Sequence, residues 1–94
     1  MPRLKAAEIK AALVKTPDWK RRGTAIARAY RFKDFVAAIK FVNRVAMAAE
    51  RAGHHPDIDI RWNQVTLALT THDAGGLTEK DFALAKQFDT LSLR

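Results

Sequence analysis

The chain has 94 residues, 48% of them hydrophobic, with 4 Gly, 3 Pro and no Cys. This composition describes one folded domain over residues 1–94, and it excludes disulfides, thiolate metal sites and any run near the ~20 apolar residues that cross a bilayer. The net charge of +7 lies in the first third, where residues 1–33 carry ten Lys/Arg against Glu8 and Asp18, while residues 34–94 carry seven against eight acids.

In chain order, Met1-Pro2-Arg3-Leu4-Lys5 leads into alternating charge and not into an apolar signal core, so a cytoplasmic protein is expected. Residues 5–14 are rich in helix formers and place Ala6, Ile9 and Leu13 on one side, which predicts a short helix. Thr16-Pro17-Asp18 ends it, because proline keeps the preceding residue out of the helical region. Trp19–Arg22 and Ala25–Phe32 then predict a hairpin turning near Gly23. Its alternation is imperfect, since Arg28 shares a face with Ile26, Tyr30 and Phe32. The cluster Lys20-Arg21-Arg22 could meet phosphates, yet it lacks a reading element and interleaved aromatics. A solvated basic face is therefore the expectation, and specific nucleic-acid binding is not.

Phe35, Ile39, Val42, Ala46 and Ala49 follow helical steps, so a long helix with that apolar stripe is expected, begun by Asp34 and closed by a left-handed Gly53. Ile58, Ile60 and Trp62 alternate with Asp59 and Arg61. After a connection at Asn63-Gln64, Val65, Leu67 and Leu69 alternate in turn, predicting two half-buried strands of a second hairpin. Thr78 and Asp81 have capping-box spacing before a last helix bearing Phe82, Ala85 and Phe88. The expected architecture is α+β: helix, hairpin, helix, hairpin, helix, with the three helices on one face of a four-stranded antiparallel sheet. Such a sheet leaves an edge strand unpaired, and closing it across a two-fold axis predicts a homo-oligomer.

All three histidines, His54, His55 and His72, fall in one stretch. The adjacent pair follows the long helix directly, and Pro56 makes His55 extended. His72 is expected to end the second strand of the hairpin, on the face of Thr66 and Thr70 and away from the Val65/Leu67/Leu69 stripe. Three readings compete. A metal site is disfavoured because adjacent side chains point apart and no HExxH helix is present. Ordinary turn histidines and a proton-transfer site both remain open on the residues alone, histidine being the side chain that can give or take a proton near neutrality. Glu50, in the last helical turn, opposes the helix dipole. It could bond to a histidine or a ligand donor, or pair with Arg44 or Arg51.

Taken together, Ala49-Glu50-x-x-x-His54-His55-Pro56, then Asn63-x-Val65, then Thr71-His72-x-x-Gly75-Gly76-Leu77-Thr78-x-x-Asp81-x-x-Leu84-Ala85 resemble the pterin-4a-carbinolamine dehydratase family. Trp19 and Phe32-x-Asp34-Phe35 match its pattern too, so the likeness runs from about residue 4 to the end. The resemblance implies a lyase without cofactor or metal, removing water from a 4a-hydroxytetrahydropterin to give the quinonoid dihydropterin. It also implies a functional link to an aromatic amino-acid hydroxylase and a homodimer or homotetramer. By that resemblance His54 and His72 serve as acids toward the 4a-hydroxyl on opposite ring faces, and His55 binds or orients the pterin. Glu50, Gly53, Pro56, Thr70, Thr71 and Asp81 border the substrate site, Asp81 acting more as helix cap than as catalyst. Two departures stand out: Ile58 and Gly53 occupy positions where animal-type members carry tryptophan and aspartate. Some relatives of this fold have lost the histidines and assist protein assembly, which makes a non-catalytic binding module the alternative.

Overall fold

The computed structural model describes residues 2–94. Its elements are α1 (Ala6–Val14), β1 (Lys20–Arg22), β2 (Ala25–Arg31), α2 (Phe35–Ala52), β3 (Asp57–Arg61), β4 (Gln64–Leu69) and α3 (Glu79–Leu91), with a single 3-10 turn at His72–Ala74. The strands form one antiparallel sheet in the order β1-β2-β4-β3. The first hairpin turns through Gly23, whose left-handed φ of 58° suits glycine. Register places Ile26 opposite Leu69, Arg28 opposite Leu67 and Tyr30 opposite Val65. These residues share the face on which Ile9 of α1, Phe41 and Val45 of α2, and Phe82, Ala85 and Phe88 of α3 complete the core.

The odd arginine of β2 has a partner. Asp89, near the end of α3, accepts hydrogen bonds from Arg28 Nη1 (2.7 Å), Trp19 Nε1 (2.9 Å) and the Tyr30 hydroxyl. An arginine can face the core here because a carboxylate meets it. Burial, reinforced by the hydrogen bond to Asp89, pushes the Tyr30 pKa well above its ordinary value, so this phenol donates throughout the physiological range.

The buried face of α2 differs from the expected stripe. Ala38, Phe41, Val45, Ala48 and Ala49 are buried, whereas Ala46 is exposed and Phe35 remains 50% exposed. The helix is apolar over more than one stripe, and the sheet selects the one that brings Phe41 against Tyr30 and Phe32, with ring centroids 4.7 and 5.0 Å apart.

The second hairpin is also corrected. Its turn is Trp62-Asn63 and not Asn63-Gln64, with Trp62 in the left-handed region at φ 51°. Asn63 holds the turn by donating from Nδ2 to the Phe32 carbonyl at 2.8 Å. Strand β3 is not half-buried. Ile58 and Ile60 sit opposite Leu67 and Val65, on the core face, but β3 is the sheet edge and they stay 38% and 39% exposed. Among the described residues, no helix is long and apolar enough to cross a membrane.

The corrected helix face predicts unequal costs for two phenylalanines. Phe41→Ala leaves a cavity in the core and should lower unfolding free energy by about 3–5 kcal/mol. Phe35→Ala should lower it by less than about 1 kcal/mol. Urea titration of both variants reads the difference, and equal losses would contradict the assignment.

Candidate active site

The end of α2 aims the histidine pair. Gly53 adopts the left-handed conformation (φ 63°), its N–H donating to the Glu50 carbonyl and that of His54 to the Ala49 carbonyl, each at 3.1 Å. This is a Schellman closure, which fixes the direction of the chain leaving the helix. His54 is thereby turned inward and largely buried, while His55 is exposed. Adjacent side chains do point apart, yet both still border the same hollow.

The third histidine arrives on a different scaffold. Strand β4 stops at Leu69, so His72 does not end a strand; it opens the 3-10 turn. Thr71 and Gly76 pair across this turn, Thr71 N–H donating to the Gly76 carbonyl (3.1 Å) and Gly76 N–H to that of Thr71 (3.3 Å). Gly75 has φ 73°, a conformation that favours glycine. The closed turn presents the exposed His72 side chain to solvent. Next to it, Thr70 Oγ1 donates to the Thr24 carbonyl at 2.6 Å, tying this wall to the first hairpin turn.

Gly53, His54, His55, Thr70, Thr71, His72, Asp73 and Lys80 together line a cavity of about 380 Å³, a volume in the range of small-molecule sites. Six of these were expected from the sequence. Glu50 and Pro56 do not line it. Glu50 instead accepts a hydrogen bond from His55 Nε2 at 2.7 Å, so its partner is a histidine and neither Arg44 nor Arg51. Asp73 and Lys80 were missed; their only sequence signal is proximity to His72 and to the Thr78 cap.

Asp81 lies beneath the cavity floor with no exposed surface. One oxygen, Oδ2, accepts from Thr78 N–H and Thr71 Oγ1, both at 2.9 Å. The other, Oδ1, is 2.6 Å from His54 Nε2. It thus caps α3 as the spacing indicated and reaches the site through His54 and Thr71. A carboxylate accepts only, so the His54 nitrogen facing it carries the hydrogen. Nδ1 is left as the nitrogen that can exchange a proton with a ligand. Among the described residues, no group of three His, Cys, Asp or Glu side chains is arranged to hold a metal ion. A groove of about 430 Å³ between α2 and α3, lined by Arg44, Arg51 and Arg94 among others, contains no histidine, Asp or Glu side chain.

The fold is one seen in solved structures. A crystal structure described as a transcriptional coactivator/pterin dehydratase from Brucella melitensis superposes with a TM-score of 0.92 at 34% identity, covering 96% of this chain and 98% of that one. A pterin dehydratase-like protein described as a RuBisCO assembly factor of the alpha-carboxysome shares the fold, with a TM-score of 0.69 at 23% identity over 80% of this chain and 89% of that one. The family described as "Pterin 4 alpha carbinolamine dehydratase" matches residues 2–91. Curated relatives named "Putative pterin-4-alpha-carbinolamine dehydratase" include one from Chloroflexus aurantiacus, 62% identical over 97% of this chain and 98% of its own length. Another, from Thermosynechococcus vestitus, is 50% identical over 97% of this chain and 96% of its own. The chain belongs to the pterin-4-alpha-carbinolamine dehydratase family.

The Asp81–His54 contact yields a spectroscopic prediction. In Asp81→Asn the side-chain oxygen can still accept from Thr78 and Thr71, but its amide now donates toward His54 Nε2. Neutral His54 should then move its hydrogen to Nδ1, a tautomer change that imidazole ¹⁵N shifts resolve. Unchanged shifts would mean that Asp81 does not set the tautomer.

Proposed function

We propose that this protein dehydrates a 4a-hydroxytetrahydropterin by histidine general acid–base catalysis, in recycling of a pterin oxidised by an aromatic amino-acid hydroxylase. The observation that carries the reading is the convergence of His54, His55 and His72 on one cavity, with His54 locked by a buried carboxylate. A cysteine-free chain suits the reducing cytoplasm, where we place the reaction.

The reaction breaks the C4a–O bond, removes the proton on N5 and forms the C4a=N5 double bond; the products are water and the quinonoid dihydropterin. Hydroxide leaves poorly, so an acid must protonate the departing oxygen while a base accepts the N5 proton. His54 can deliver a proton only from Nδ1, because Nε2 is committed to Asp81. His72, the other acid on this cavity, serves the other stereoisomer. His55, paired with Glu50, orients the pterin. Thr70 Oγ1 spends its hydrogen on the Thr24 carbonyl, so toward a substrate it would act as an acceptor, while Thr71 Oγ1 donates to Asp81 and also meets the Thr78 hydroxyl. Pterins present N–H and NH2 donors along one edge, which an acceptor oxygen would receive. Gly53 and Pro56 set the path of the histidine pair, Gly53 from the cavity wall itself.

We also propose a homo-oligomer, closed at the β3 edge. Ile58 and Ile60 continue the core face there without a cover, and the backbone of an edge strand has free hydrogen-bonding groups. This edge is also the surface an assembly module would use, so it is the feature that favours the alternative reading.

Two tests follow from this chemistry. His72→Ala and His54→Ala should each lower kcat by about 10²-fold or more, each for its own stereoisomer, with little rise in KM, while His55→Ala weakens both binding and turnover. EDTA should leave the wild-type rate unchanged. Full activity in the doubly substituted protein, or EDTA loss restored by zinc, would overturn the mechanism. Sedimentation should give a dimer or tetramer at micromolar concentration, and Ile60→Lys should shift it toward monomer; a monomeric wild type would reject the edge pairing.

A further inference from the structure

We propose that a second, smaller cleft behind the His72 turn binds an oxyanion, a phosphate or carboxylate group, between Arg3 and Arg21. The cleft measures about 130 Å³ and is bordered by Arg3, Arg21, Thr24, Gly75, Gly76 and Leu77 among others. It is about a third of the volume of the histidine cavity and has room for a small anion.

Three observations support the assignment. The first is how Arg3 is held. Leu4 N–H donates to the Leu77 carbonyl at 2.8 Å, docking the segment before α1 against the turn. The Arg3 stem then lies across Gly76, where an added Cβ would come within 2.8 Å of Cδ and 3.3 Å of Cγ. Gly76 has no positive φ, so what a side chain added there would meet is the Arg3 stem and not backbone strain. The second is Arg21. It stands opposite Ile26 in the register, and its Nε donates to the Gly23 carbonyl at 3.0 Å, which orients the rest of the guanidinium. The third is the charge balance. Among the described residues, neither guanidinium has a carboxylate within 4.0 Å, although Glu8 and Glu79 border a neighbouring hollow that Arg3 also lines. Two arginines without carboxylate partners border one small cleft, and an oxyanion held there would accept paired N–H donors from them.

The cleft shares a wall with the histidine cavity. Thr70 lines that cavity and donates to the carbonyl of Thr24, which lines this cleft; Thr71 and Gly76 are paired across the same turn. The anion therefore comes either from the side chain of a substrate reaching over the turn or from free phosphate. Occupancy of the cleft does not depend on the dehydratase reading; only the choice of source does.

The test is an NMR titration of the full chain with inorganic phosphate at constant ionic strength. Saturable shifts should appear at the amides of Thr24, Gly75 and Gly76, with half-saturation below about 10 mM. Arg3→Gln and Arg21→Gln should each weaken binding by about tenfold or more, and Arg3→Lys, which keeps charge but not the fork, should weaken it measurably. Gly76→Ala, which removes no charge, should do the same by displacing Arg3. Lys33→Gln, an equal charge loss on another surface, should change half-saturation by less than about twofold. No saturation, shifts centred elsewhere, or equal losses in Lys33→Gln and the arginine variants would overturn the proposal. Kinetics then assign the source: phosphate that raises KM for a phosphorylated pterin and not for an uncharged one identifies the substrate's own side chain, and phosphate that leaves both unchanged identifies a free ion. If no turnover is found, the titration still decides the cleft.

Discussion

One buried carboxylate holds the site together. Asp81 has no contact with solvent, and its two oxygens bind the first turn of α3, the hydroxyl of Thr71 and the ring of His54. Those three groups lie in separate segments: a helix start, a turn after a strand, and the exit of another helix. A buried carboxylate without partners would cost several kcal/mol, so each partner is held as firmly as the carboxylate needs it. The arrangement makes positioning of His54 a consequence of folding rather than of substrate binding.

Helix α3 carries a second, partly buried carboxylate at its other end. Asp89 gathers Trp19, Arg28 and Tyr30, and so fastens the helix to β2 and to the segment before β1. Between the two carboxylates, Phe82, Leu84, Ala85 and Phe88 supply the apolar contact. Polar ties at both ends set the rotation and height of the helix, which apolar packing alone specifies less sharply. Since Asp81 depends on that placement to meet His54, the distant Asp89 cluster supports the geometry of the cavity.

Membership in the family does not by itself decide between catalysis and assembly, because the same fold appears in a protein described as an assembly factor. The distinction lies in the site. Here the cavity has three imidazoles with different surroundings: His54 buried against a carboxylate, His55 exposed beside Glu50, and His72 on a tight turn. Their surroundings give the imidazoles different hydrogen-bond partners, Asp81 for His54 and Glu50 for His55.

The sequence by itself determined the element order, the caps at Asp34, Gly53 and Thr78, and the grouping of the histidines. These are local matters: periodicity, a left-handed glycine, and a capping spacing each depend on residues within a few positions. The family likeness was legible as well, because its motifs are short and contiguous. Only the tertiary structure decided which apolar stripe of α2 is buried, since Phe35 and Phe41 are equally apolar and the choice depends on Tyr30 and Phe32 across the sheet. It likewise decided that β3 is an edge, because alternation of Ile58 and Ile60 reports a face and not a neighbour. Asp81 is the sharpest case. Its spacing from Thr78 announced the cap, but its second partner, His54, is 27 residues away. A contact at that distance is set by packing of α2 against α3 and the sheet, and no periodicity in the chain records it.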